Sequence, residues 1–356
     1  MSASACPSTA EGVPFSSVAV ESEPQSTSED FSPVELALAV RNHGFPLETL
    51  RYDITPLGLH YLLIHFDIPH VDVTGWRLDI GGAVSRPISL SLGELKERPR
   101  TSIAVTLECA GNGRARLTPR PLSQPWLEEA IGHAEWTGTP LAPLLEEAGI
   151  EEGGIEVLFT GLDRGVQGEV EHAYERSLPV DEALRPEMLL AYEVNGQPLP
   201  PQHGFPLRLI VPGWYGMTHV KWLDRITVLT EPFEGYQQVM QYRTKQTEEE
   251  RGEPVTRMLP RSLMIPPGIP DFPERKRFLE AGQCELEGRA WSGWAPIARV
   301  EVSTDGGETW QDAERGQHER CSRATDGAGN AQPDEAEWNY GGYVNNAVQR
   351  VAVTVR

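Results

Sequence analysis

The sequence predicts an α+β protein in two folded parts, a mixed-sheet domain followed by a β-sandwich of immunoglobulin-like size. Three observations lead there. The 356 residues exceed what one hydrophobic core usually supports. The 34 Gly and 30 Pro cut the chain into short segments, which favours strands and ordered turns over long helices. After Tyr242 the apolar pattern gives way to TKQTEEERGEP and then IPPGIPDFPE, a charged and proline-rich stretch that reads as an extended connection.

The elements follow in order. Residues 1–32 are rich in Ser, Glu and Pro without apolar periodicity, the signature of a disordered acidic leader. Ordered sequence begins at SPVELALAV, where Ser32 offers a helix cap. Strand patterns follow at YLLIHFDI, WRLDIGGAV, TSIAVTLE, IEVLFTGL and PLRLIVPGW, each β-branched or alternating and bounded by Gly or Pro. Helical patterns appear at LSLGELKE and at TPLAPLLEEAG, the second stopped by Gly149. Residues 33–242 form the first domain on this reading. Residues 243–356 form the linker and sandwich, where CELEGRAWSG, IARVEVSTDGGETWQDA and NNAVQRVAVTV alternate and Asp305-Gly306-Gly307 marks a hairpin turn.

The totals exclude several functions. Asp and Glu outnumber Lys and Arg by 52 to 31, a formal charge of -21, which repels nucleic acid and anionic membrane surfaces. No apolar run reaches the roughly 20 residues that span a bilayer. The N-terminal stretch lacks the basic and apolar regions of an export signal and any twin arginine, so the expectation is cytoplasmic. Cys6, Cys109, Cys284 and Cys321 form no CxxC or CxxCH pattern; no haem is expected, and a buried apolar role is the default for each.

Cys109 departs from that default. TSIAVTLECAGNGRAR runs from a strand into Gly111, Asn112 and Gly113, so the thiol lies where a strand ends and the backbone turns. Arg114, Arg116 and Arg120 follow closely, and nearby cations favour the thiolate.

TLECAGNGR resembles the cysteine loop of the sulfite oxidase family of molybdopterin-dependent oxidoreductases. The resemblance extends to Arg41-Asn42-His43 upstream and, downstream, to MLLAYEVNGQPLPPQHGFPLRLIVPGWYGMTHVKWL. It implies a molybdopterin-binding catalytic domain, with Cys109 as the protein's ligand to molybdenum. Asp163, His203, Arg208 and His219-Val220-Lys221 look like pterin and phosphate contacts, joined by Asn42 and His43. Arg41 and Arg114 resemble the residues facing the metal, and Tyr242, in QYR, the active-site tyrosine. GRAWSG and VEVSTDGGETW resemble the family's sandwich domain, which commonly makes homodimers. Trp136 and Gly138 match too, though packing explains them better.

Physical chemistry supports these roles independently. A soft thiolate suits a metal already held by a dithiolene. A phosphate calls for a forked donor and a compact cation, which Arg208 and Lys221 supply. Two departures touch the substrate: Gly113 stands where the family often has a first arginine, and Gly341, in EWNYGGYVNNA, where animal sulfite oxidases place one. The second predicts weaker sulfite capture or room for a larger substrate. The resemblance implies oxygen-atom transfer to sulfite, with electrons leaving to an external acceptor such as a basic cytochrome c. Alternatives are a nitrate or sulfoxide reductase on the same scaffold, or a cofactor-free binding protein.

Overall fold

The computed structural model describes residues 31–303 and 316–355. The expected leader, apart from its last two residues, and the Asp305-Gly306-Gly307 turn lie outside the described residues.

The chain enters through a short helix, Pro33–Ala39, capped as its sequence predicts: the Ser32 hydroxyl accepts from the Glu35 N–H and the Glu35 carboxylate accepts from the Ser32 N–H. Two sheets then build the first domain. One places Ile88–Ser91, Arg77–Gly82, Leu223–Leu229, Glu156–Gln167 and Val170–Pro179 side by side. Its only parallel pair joins Arg77–Gly82 to Leu223–Leu229, bringing distant segments together. The other sheet runs Thr101–Glu108, Ile131–Pro140, Leu189–Val194 and Gln197–Pro198, with Arg208–Ile210 also on Leu189–Val194.

Two apolar clusters hold the sheets, and the first is shared, since Leu190, Tyr192 and Leu209 of the second sheet also lie in it. Leu78, Ile80, Val157, Phe159, Leu178, Leu223 and Ile226 fill the first; Val105, Leu107, Ala134, Trp136, Leu189 and Ala191 fill the second, which Cys109 joins at its edge. Helix Ala142–Ala148 ends at Gly149, whose φ of +71° only glycine adopts freely.

The C-terminal part is β-rich, as expected. Ile269–Pro270, Arg277–Leu279, Gln349–Val355, Gly316–Asp326 and Ile297–Ser303 form one sheet. The pair Arg261–Met264 and Gly288–Trp291 packs on it, with the Ser262 hydroxyl donating to that of Ser322 at 3.0 Å. No helix among the described residues is long and apolar enough to cross a membrane.

One expected strand is absent. Residues 61–68 (YLLIHFDI) make only an isolated bridge between Leu62 and His43 and otherwise run as irregular chain. Their side chains line cavities: Tyr61, Leu62, Leu63 and His65 face one, and Ile64 and Phe66 another. A segment that walls two cavities has no partner strand to take its backbone groups.

Candidate active site

Strand Thr101–Glu108 delivers Cys109 to the junction of two clefts. The Cys109 N–H donates to the Ala130 carbonyl at 2.9 Å, and its own carbonyl accepts from Asn112 N–H at 2.9 Å, turning the chain at once. The thiol is buried yet borders both clefts, which also share Leu63, His65 and Tyr242.

The inner cleft encloses about 670 Å³, its mouth included, and gathers Asp163, His203, Arg208, His219 and Lys221. Arg208 is 5% exposed. Its guanidinium donates to the carbonyls of His203 (3.0 Å) and His219 (3.3 Å), and lies 4.6 Å from the centre of the Trp136 ring. No carboxylate pairs with it among the described residues, and its Nε has no partner. Burial pulls this guanidinium down to about 10. Trp136, fully buried, is thus both packing residue and platform.

Asp163 sits where the pairing of Glu156–Gln167 with Val170–Pro179 slips register, an irregularity that re-aims side chains. Its Oδ1 is buried without a partner. Burial pushes its carboxyl up, and the Lys221 charge opposes that. Burial likewise pulls the Lys221 ammonium down. That ammonium donates to the carbonyls of Leu63 (2.9 Å) and Gln202 (3.2 Å). The next residue, Trp222, has φ +50°, and Tyr242 has φ +54°. A bulky residue in this region costs about 1–3 kcal/mol and persists only where its surroundings enforce it.

These groups fit the implied cofactor. An acceptor without a donor, a guanidinium N–H without an acceptor and a compact ammonium line one cleft, complementary to a pterin with ring N–H groups and a phosphate. Among the described residues no cluster of three or more His, Cys, Asp or Glu could hold a bare metal. A single thiolate therefore suits a metal that arrives with its own ligands.

The outer cleft encloses about 930 Å³, its mouth included, and is lined by Arg41, Arg114, Gln124, Gln241, Tyr242 and Tyr343 among others; none of the described residues lining it is a carboxylate. Arg114 is 3% exposed. Its Nε donates to the Gly341 carbonyl (3.0 Å), its Nη1 to the Gln124 carbonyl (3.1 Å), and its guanidinium lies 5.1 Å from the Tyr343 ring centre. Gly111 permits this, because a Cβ there would come within 2.5 Å of the guanidinium. Arg116 and Arg120 turn away, pairing with Glu128 at 3.7 Å and Glu35 at 2.8 Å. Of the three cations expected near the thiol, only Arg114 lines the cleft.

Two expectations need correction. Val220 presents no group to a ligand: its side chain is in the core, its N–H donates to the Thr218 carbonyl, and its carbonyl accepts from Leu209 N–H. His43 is exposed and lines neither cleft, whereas Asn42 is buried and supports the wall through Ile64 N–H (2.7 Å) and Gln124 Oε1 (2.9 Å). At Gly341 the side-chain direction is taken by Tyr343, whose ring a Cβ there would meet at 2.3 Å. Tyr343 fills that side instead, its hydroxyl donating to Gln241 at 3.1 Å.

The sequence also hid wall residues. His60 stands edge-on to His203 at 5.6 Å, with its Nδ1 on the Tyr61 carbonyl. Arg176, buried and donating to the Gln237 carbonyl, lies 5.6 Å from the Tyr242 ring centre. For His65 the one local clue is a histidine inside the apolar run YLLIHFDI; Arg176 and Tyr343 have no local clue.

Burial favours the neutral form of the cleft histidines His60, His65, His203 and His219. His219 Nδ1 accepts from Val211 N–H (3.2 Å) while its Nε2–H donates to the Trp214 carbonyl (3.2 Å), a pattern that only the neutral ring satisfies. Burial pulls His219 to about 3, His203 to about 2, and His60 and His65 to about 4. Because the unfolded chain binds more protons between these values and 6.5, stability rises with pH across that window and is lost as pH falls through it. Each histidine contributes about 1.4 kcal/mol per pH unit, against the opposite contribution of Asp163. The urea midpoint of the cofactor-free protein should fall from pH 6.5 to 5, whereas above pH 7 the depressed Lys221 ammonium makes it rise further with pH; a midpoint flat from pH 6.5 to 5 would refute the neutral assignment.

Comparison with known proteins matches this arrangement. Residues 65–237 match the Oxidoreductase molybdopterin binding domain, and residues 272–323 the Mo-co oxidoreductase dimerisation domain. The chain is 35% identical over 340 residues to mitochondrial sulfite oxidase of Mus musculus, covering 85% of this chain but 62% of that protein's length. It is 30% identical over 364 residues to sulfite oxidase of Arabidopsis thaliana, covering 84% of this chain and 87% of that one. Among solved structures, the sulfane dehydrogenase SoxCD from Paracoccus pantotrophus superposes with a TM-score of 0.77 at 26% identity, covering 92% of this chain and 88% of that one.

Proposed function

The chain belongs to the sulfite oxidase family of molybdopterin-dependent oxidoreductases, and from that premise we propose that it oxidises sulfite to sulfate. One observation carries the proposal: in a chain of charge -21, the cleft that opens on Cys109 holds two guanidinium groups and no carboxylate among its described residues. Such a pocket concentrates a small anion that the rest of the surface repels.

Cys109 is the thiolate ligand, Asp163 accepts from the pterin ring, and Arg208 and Lys221 hold the phosphate. The bound cofactor supplies oxygen-atom transfer and a two-electron change at the metal. Arg41 and Arg114 orient the anion through charge-assisted hydrogen bonds. Tyr242, at the junction of the clefts, is placed to hold or pass a proton. The balance is sulfite plus water giving sulfate, two protons and two electrons, and the electrons leave to an external one-electron acceptor. A basic cytochrome c suits the acidic surface, and the region matching the dimerisation domain makes a homodimer part of the same reading.

Molybdenum content measured together with sulfite turnover tests this. Protein from a host that makes the cofactor should carry about one molybdenum per chain and reduce ferricyanide with sulfite. Its rate with cytochrome c should fall as salt screens the attraction. A protein without molybdenum, or a loaded protein that ignores sulfite but reduces nitrate or a sulfoxide, overturns the proposal.

A further inference from the structure

The residue before Cys109 carries an unexpected charge. Glu108 is 1% exposed, and its carboxylate is gripped from the C-terminal part. Oε1 accepts from Arg261 Nη1 at 3.0 Å, and Oε2 from the Trp291 indole at 2.8 Å. Arg261 and Trp291 face each other on one rung of the two-stranded sheet. The far end of the cysteine loop is tied as well: Arg261 donates to the Asn345 carbonyl (2.7 Å), and the Asn345 amide donates to the Gly113 carbonyl (2.8 Å). Within the loop, Asn112 donates to Glu108 (3.0 Å) and accepts from Ala130 N–H (3.1 Å).

We propose that Glu108, Arg261 and Trp291 are positioning residues for the Cys109 thiolate, so that the C-terminal part serves the metal centre as well as any subunit contact. The proposal rests on the reading of Cys109 as the metal's ligand. Two arguments separate it from plain structural support. A buried ion pair is a poor source of stability, because desolvation offsets the attraction, and well-packed apolar residues often replace such pairs without loss. A lone carboxylate beside a thiolate ligand would also add negative charge to the metal's surroundings, which Arg261 cancels. The pair therefore fixes both the geometry and the charge around the sulfur.

The test compares Glu108→Gln, Glu108→Gln/Arg261→Gln and Trp291→Phe in the molybdenum-loaded full chain, reading the molybdenum midpoint potential and the Mo(V) paramagnetic resonance. Glu108→Gln leaves Arg261 uncompensated and should shift the potential upward. The double variant should bring it back towards the starting value. Trp291→Phe, the mildest change, removes a donor that draws charge from the carboxylate and should shift the potential downward. If Glu108→Gln does not fold, the Trp291→Phe shift alone decides. Lowered melting temperatures with potentials and resonance unchanged would overturn the inference while leaving the proposed function intact. An unsubstituted protein that takes up no molybdenum would overturn both.

Discussion

Cys109→Ser should give a folded protein that contains little molybdenum and oxidises no sulfite. Burial raises the Cys109 thiol, and the charge of Arg114 only partly opposes this, so the metal itself must hold the sulfur deprotonated. A serine hydroxyl is far less acidic, and its harder oxygen suits a sulfur-rich site poorly. Outer partners of metal ligands are alone worth about 10- to 100-fold in affinity or activity; losing the proposed ligand itself should exceed that range. The fold should survive because the backbone bonds of residue 109, to Ala130 and from Asn112, do not involve the side chain. Circular dichroism, metal analysis and sulfite-dependent ferricyanide reduction check the three parts. Retention of most of the dye reduction would remove Cys109 from the metal.

What the sequence revealed, it revealed through local rules. Strand Thr101–Glu108 matches TSIAVTLE because β-branched residues alternate up to a glycine turn. Helix Ala142–Ala148 stops at Gly149 for want of any other residue that accepts its backbone angle. The cysteine loop, Arg208 and Lys221 were legible as motif, and the structure brings them together. Tertiary arrangement decided the rest. Arg114, Arg116 and Arg120 look equivalent in sequence, yet Glu35 and Glu128 draw two of them aside. Tyr343 and Gly341 reach the Arg114 side chain from more than two hundred residues away. The backbones of Trp222 and Tyr242 adopt angles that no propensity suggests. Residues 61–68 have the composition of a strand, but their surroundings are cavities.

Arg114 carries the other large expected effect. Its carbon and nitrogen plane is fixed on three sides, by the Gly341 and Gln124 carbonyls and the Tyr343 ring, and no carboxylate among the described residues neutralises it. Its remaining donors are therefore free for an anion in the outer cleft. Truncating one partner of a buried, charge-assisted pair costs about 2–5 kcal/mol, so Arg114→Met should lower kcat/KM for sulfite by about thirtyfold to a few thousandfold. Arg114→Lys should recover only part of this, since an ammonium cannot hold both carbonyls and the anion in one plane. The loss should fall mainly on KM, because sulfite and sulfate are both oxyanions and an arginine that recognises charge binds substrate and product alike. Inhibition by sulfate should then weaken in the same proportion as sulfite affinity. If Arg114→Met raised KM while sulfate inhibited as before, the guanidinium would be bracing the cleft wall, and anion recognition would pass to Arg41.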